Sequence, residues 1–191
     1  LEELIVQAER GLNVDESLIR EAIIKMLDSR KIYKRLKKTD IVIYLPYIYK
    51  AENNVAQMVA TAVRKNRIVA ESKVDEMIAQ YEAMKGFQLA DKQREGIKRS
   101  SINQFSIISG PPGSGKTTLI DCICYIFQNS KKHVDIKLCA LAGKAATRMS
   151  EATGMEASTI HRLLGYNPET GWKFNEHNPL QVDLLIVDEF S

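Results

Sequence analysis

Gly110-Pro111-Pro112-Gly113-Ser114-Gly115-Lys116-Thr117 fits the spacing G-x-x-x-x-G-K-[ST]. The chemistry requires these residue types. Glycines adopt backbone angles closed to other residues, so successive amide N–H groups can turn inward around phosphate oxygens. A helix starting at the lysine adds its dipole and its unpaired N–H groups. Lys116 would then reach β- and γ-phosphates, the Thr117 hydroxyl would ligate Mg²⁺, and Thr118 would complete the nucleotide-binding turn. About seventy residues later Asp188-Glu189 follows the apolar run Leu184-Leu185-Ile186-Val187. An aspartate at such a strand end holds Mg²⁺, and an adjacent glutamate can orient or deprotonate an attacking water. A GTPase would show D-x-x-G here, whereas Ser191 stands three residues after Asp188, and no N-K-x-D is present. ATP is therefore the expected nucleotide, and hydrolysis the expected reaction.

The elements that must position these groups follow from periodicity. Ser106-Ile107-Ile108-Ser109 reads as a short strand entering the glycine-rich turn. Leu119, Ile120, Ile123 and Phe127 recur as one face of the following helix. Val134 to Leu141 predicts a second strand and Ala145 to about Thr153 a second helix. Leu184–Val187 reads as a strand buried on both faces of a parallel sheet. Alternating strands and helices make residues 87–191 an α/β doubly wound domain with a parallel sheet and a P-loop. Ending directly after a strand is unusual for such a domain, so the chain reads as a fragment.

Residues 1–86 are different. Leu18, Ile19, Ala22, Ile23, Met26 and Leu27 recur at helical spacing behind Asp15, which is placed as a cap. Two β-leaning pieces, Ile32-Tyr33 and Ile41 to Leu45, flank Lys37-Lys38-Thr39-Asp40. Pro46 can open a helix carrying the stripe Ile48, Ala51, Val55, Met58, Val59 and Ala62. Ser72 with Asp75 reads as a capping box for another helix that stops at Gly86. Helix, two-stranded wing, helix is the outline of a small winged-helix-like module.

Composition narrows the classes. A chain that is 45% hydrophobic and 27% charged is ordinary for a globular protein. No apolar run approaches the roughly 18 residues that span a membrane, so no membrane partner is expected. Cys122, Cys124 and Cys139 have no metal-ligand spacing and sit in apolar surroundings, which fits buried thiols in a reducing cytoplasm. The net charge of +3 is too small to argue for nucleic acid. The run Arg30, Lys31, Lys34, Arg35, Lys37 and Lys38 could touch DNA phosphates, or simply keep a strand edge charged.

Four further segments carry a family resemblance. Phe87-Gln88-Leu89-Ala90-Asp91-Lys92-Gln93 resembles the glutamine motif of superfamily 1 helicases, with Gln93 at the adenine-reading position, where an amide can donate and accept together. Cys139-Ala140-Leu141-Ala142-Gly143-Lys144-Ala145-Ala146-Thr147-Arg148 resembles the family's A-P-T-G-K-A-A-x-R. Leu141 and Ala142 replace the usual Pro and Thr, which leaves backbone N–H groups to serve there. Thr159-Ile160-His161-Arg162-Leu163-Leu164 looks like T-I-H-R-L-L, and Asp188-Glu189-Phe190-Ser191 like D-E-x-S. In this order over Phe87 to Ser191 they resemble RecD-like superfamily 1 DNA helicases, the family of the exodeoxyribonuclease V alpha subunit. Ile43-Tyr44-Leu45-Pro46 followed by Ala51-Glu52 is similar to the segment before the motor in longer, stand-alone members.

The resemblance implies ATP- and Mg²⁺-dependent 5′ to 3′ movement on single-stranded DNA in repair and recombination. Lys144, Arg148, Thr159 and His161 would face the strand, and some relatives work with other recombination subunits. It also implies that ATP closes between two RecA-like domains, so this chain alone should bind ATP weakly and not unwind DNA. Taken without the resemblance, His161 is a polar residue in a helix turn, and Lys144 and Arg148 a solvated helix face. A P-loop nucleotide kinase would explain the loop but not Asp188-Glu189 or the Thr159–Leu164 segment. An ATP-switched, winged-helix DNA-binding regulator is the other alternative.

Overall fold

The computed structural model describes residues 1–63 and 69–189, and the chain divides into two compact units, Leu1–Arg64 and Lys65–Ser191. In the first, helices α1 (Glu2–Leu12) and α2 (Glu16–Asp28) are tied together by Arg20, whose guanidinium reaches Glu16 and Glu2, both at 2.7 Å. Asp15 occupies the cap position of α2, but its side chain makes no capping bond. Strands β1 (Tyr33–Lys37) and β2 (Asp40–Tyr44) form an antiparallel hairpin, with Tyr33 opposite Tyr44 and Lys37 opposite Asp40. Pro46 opens α3 (Pro46–Val63), where its missing N–H costs nothing. The apolar stripe of α3 has no buried member. Aromatic and cationic contacts attach the helix to the hairpin instead: Tyr33 and Tyr49 stack at 4.7 Å, and the Arg35 guanidinium lies 4.9 Å from the Tyr49 ring while pairing with Glu52. Arg35, one of the basic run, is thereby committed to its own module.

The second unit starts with α4 (Glu71–Lys85) and α5 (Asp91–Ile102). The sequence groups α4 with the N-terminal module, but its buried face (Val74, Ile78 and Tyr81) joins the core of the second unit. The expected capping box at Ser72 does not form. Ala70 is the cap, its carbonyl accepts from Lys73 and Val74, and Ser72 falls within the first turn. Gly86 does end the helix, at φ 73°.

Helix α6 (Lys116–Ser130) leads to β3 (Ile136–Ala140), α7 (Gly143–Thr153), β4 (Ala157–Thr159), and the one-turn α8 (Ile160–Leu163). A small hairpin of β5 (Tyr166–Asn167) and β6 (Gly171–Trp172) precedes β7 (Leu184–Asp188). The sheet is parallel in the order β4-β3-β7. Its centre, β3, is apolar and buried except at Lys137, and packs with Ile97 of α5, Ile126 and Phe127 of α6, and Met149 of α7. Asp183 aligns β7 with β3: it pairs with Lys131 and accepts from the Asp135 amide at 2.9 Å, which in that order hold its carboxyl below the usual range.

Two expectations about the sheet need correction. Ser106–Ser109 belongs to no ladder, and Ile107 is 82% exposed. A strand is defined by a partner, and among the described residues none is hydrogen-bonded to this segment. β7 is not buried on both faces either. Leu184, Ile186 and Asp188 are sheltered, whereas Leu185 and Val187 are exposed. Its apolar run reads the same whether one face or two are covered. Among the described residues no helix is long and apolar enough to cross a membrane.

Candidate nucleotide-binding site

Gly110–Thr117 forms a closed turn leading directly into α6, with Gly115 as the helix cap at φ 81° and Gly113 at φ 77°. Both angles lie where side-chain-bearing residues are strained. Space is tight as well: a Cβ on Gly110 would stand 2.7 Å from Ser114 Oγ, and one on Gly115 would stand 2.6 Å from Gln93 Nε2. Ser114 N–H donates to the Pro111 carbonyl at 3.2 Å, while the two prolines stay exposed at the tip. Lys116 Nζ donates to the Gly110 carbonyl at 2.7 Å and the Pro111 carbonyl at 3.1 Å. The ammonium is thus folded back onto the loop's own carbonyl oxygens. Thr117 is exposed and Thr118 partly buried in the first turn. The cradle lies on the surface. Open concavities by Ile24–Lys34 and by Ala79–Gln88 include none of its residues.

Gln93 is the loop's nearest support. Its Oε1 accepts from the Ala90 amide at 3.0 Å, and its Nε2 donates to the Ser114 carbonyl at 2.9 Å. One amide therefore joins the start of α5 to the glycine-rich loop, retaining a second hydrogen and lone pair for another partner.

Sequence reasoning missed the group behind Gln93. Glu82 of α4 is only 7% exposed. It accepts from the Leu89 amide at 2.7 Å and pairs with Arg94. The Leu89 amide first, against the cost of burial, and Arg94 after it hold the Glu82 carboxyl below the usual carboxylate range. These bonds fix the segment from which Gln93 projects. A signal was present: Glu82 falls on the same helical face as Val74, Ile78 and Tyr81, where a charge needs a partner. From the other side, Asp121 of α6 accepts from Tyr81 Oη at 2.7 Å and pairs with Lys85 at 2.7 Å, tying α6 to α4.

The sheet register sets out the remaining candidates. Thr159, Ala140 and Asp188 are in register at the carboxyl ends of β4, β3 and β7. Ligands of open α/β sheets bind at that end. Glu189 follows in the left-handed region at φ 50°, its amide bonded to Asp188 Oδ1 at 2.9 Å. Phe190 and Ser191, the rest of the D-E-x-S segment, lie outside the described residues. Among the described residues no hydrogen bond or ion pair joins the loop to Asp188 or Glu189.

Lys144 and Arg148 stand one turn apart on the exposed side of α7, opposite buried Ala145, Ala146 and Met149. Thr159 Oγ1 caps α8 by accepting from the Arg162 amide at 3.3 Å, so the threonine hydroxyl already has a structural partner. His161 is exposed and lies beside Tyr166 and Trp172.

Comparison with known proteins places residues 93–191 within the family described as AAA domain. The chain is 35% identical to the ATP-dependent RecD2 DNA helicase of Deinococcus radiodurans, over 78% of this chain and 20% of that protein. It is 33% identical to the RecBCD enzyme subunit RecD of Haemophilus influenzae, over 76% of this chain and 27% of the relative. With the RecD subunit of Buchnera aphidicola it shares 31% identity over 78% of this chain and 27% of the relative. The chain therefore spans about a fifth to a quarter of these relatives' length.

Proposed function

Because the chain belongs to the AAA domain family and is RecD-like along most of its length, we propose that it is the nucleotide-binding part of an ATP-dependent DNA helicase. The observation that carries this reading is the loop itself. Two glycines at positive φ and a lysine folded into the turn place amide and ammonium donors around one point at the start of a 15-residue helix.

Each residue has an assigned task. Gly110, Pro111, Pro112, Gly113, Ser114 and Gly115 wrap the phosphates, with Thr118 closing the first turn. Lys116 binds the β- and γ-phosphate oxygens. Gln93 offers its second hydrogen and lone pair to the base edge. Thr117 and Asp188 supply the hard oxygen ligands that suit Mg²⁺. Among the described residues no three His, Cys, Asp or Glu side chains converge as a metal cage. An ion there would be held by few protein oxygens together with phosphate. Bound there, Mg²⁺ would neutralise charge on the phosphate oxygens. Glu189 orients the attacking water and takes its proton.

Lys144, Arg148, Thr159 and His161 form the DNA-facing set, for 5′ to 3′ movement on a single strand. Two of the relatives are named as RecBCD subunits, so recombination subunits of that kind are the protein partners to test by co-purification. The deciding assay is ATP hydrolysis by the whole protein that carries this chain. Single strands should stimulate it, and duplexes with a 5′ tail should be unwound. Hydrolysis indifferent to DNA would favour a phosphotransferase, and a response confined to one duplex sequence a regulator.

A further inference from the structure

Three rings gather on the surface of the second unit. Tyr166 and Trp172 are directly opposed across the β5–β6 hairpin, with centroids 4.6 Å apart. The His161 ring, from α8, lies 5.3 Å from Trp172 and 5.6 Å from Tyr166. Local chemistry builds the arrangement. Gly165 takes φ 62°, and a Cβ there would stand 2.9 Å from Lys173 Cβ, so glycine lets the returning strand close in. Asn167 Oδ1 accepts from the Glu169 and Thr170 amides at 2.8 and 3.3 Å, and Gly171 completes the turn at φ 78°.

A cross-strand aromatic pair is a common way to stabilise a hairpin. That purpose needs two rings and gains by covering them. Here a third ring comes from another element, yet Tyr166 remains 45% and Trp172 41% exposed. Exposed Arg162 and Lys173 sit next to His161 and Trp172 in the chain, against a single carboxylate, Glu169, at the turn. His161 is two residues beyond Thr159, at the sheet end that also carries Asp188. Open aromatic faces with flanking cations suit a strand whose bases are unpaired and whose phosphates are charged, whereas a duplex hides its base faces.

We propose that His161, Tyr166 and Trp172 form a stacking platform for bases of single-stranded DNA, with Arg162 and Lys173 contacting its phosphates. This rests on the reading of the chain as part of a DNA motor and adds Tyr166 and Trp172 to the interface.

Trp172 is the sole tryptophan of the chain, so its emission reports on this place alone. The chain is titrated with a labelled oligothymidylate of about 16 nucleotides, following label anisotropy and tryptophan emission together. Quenching should track the anisotropy. Trp172→Ala should weaken binding about tenfold, while Trp172→Phe, which keeps a ring, should lose much less. Matched far-UV spectra and melting curves exclude misfolding, and the wild-type emission decides if a variant does not fold. Binding by anisotropy with unchanged emission would overturn the platform and leave the motor reading standing. A stronger emission response to a duplex of equal length would also overturn the platform. No binding of the oligonucleotide would overturn both.

Discussion

Alanine at Gly115 should damage the chain in two separable ways. The residue sits at φ 81°, where a Cβ costs about 1–2 kcal/mol. The new methyl would also stand 2.6 Å from Gln93 Nε2, so the Gln93 amide must swing aside at the expense of its bond to the Ser114 carbonyl. Losing that bond adds about 0.5–1.5 kcal/mol. The sum is about 1.5–3.5 kcal/mol, or roughly 3–14 °C in melting temperature for a chain of this size. Gly113 is the internal control. It has φ 77°, but its added Cβ meets nothing within 4 Å, so only the dihedral cost applies. Thermal unfolding followed by far-UV ellipticity should therefore rank wild type, Gly113→Ala and Gly115→Ala in falling order. In a Gln93→Ala background the gap between the two glycine variants should close. Equal melting temperatures for the two variants, or a gap that persists without Gln93, would refute the claim that the loop closes on this glutamine.

The cysteines and the small hairpin give two more tests. Burial pushes the Cys122 and Cys124 thiols up to about 12, and Cys139 upward as well. A thiol reagent at pH 8 should leave the folded chain unmodified and label all three after denaturation; rapid native labelling would contradict their burial. Because the folded values exceed the ordinary 9.0, the stability they contribute is complete below about pH 9 and is lost as pH rises toward about 12. Melting curves taken across that alkaline range should show the decline. Gly165→Ala should cost about 1–2 kcal/mol from its positive φ alone. It should also shift Trp172 emission to the red as the hairpin loosens, and an unchanged spectrum would argue against the close approach of Lys173.

The legible parts of the fold were those whose signals are local. The glycine spacing of the loop, the helical face of α6 and the apolar core of β3 can each be read without knowing what lies opposite. Ser106–Ser109 could not be read this way, because a strand requires a partner that lies elsewhere in the chain. The exposed face of β7 was hidden for a similar reason: Leu185 and Val187 are as apolar as their buried neighbours. Glu82 shares the apolar face of its helix, but its partners, the Leu89 amide and Arg94, lie beyond that helix and carry no pattern within it. The two-residue strands of the Trp172 hairpin are too short to show a period. The turn between them is built by Asn167 and Gly171.

Lys116, Asp188 and Glu189 are proposed for different tasks, and one experiment separates them. In the whole protein that carries this chain, equilibrium ATP binding with and without Mg²⁺ is measured alongside turnover for Lys116→Ala, Asp188→Asn and Glu189→Gln. Lys116→Ala should lose ATP binding, Asp188→Asn should lose only the Mg²⁺-dependent part, and Glu189→Gln should bind as wild type while hydrolysis fails. Wild-type binding and turnover by all three variants would contradict these roles.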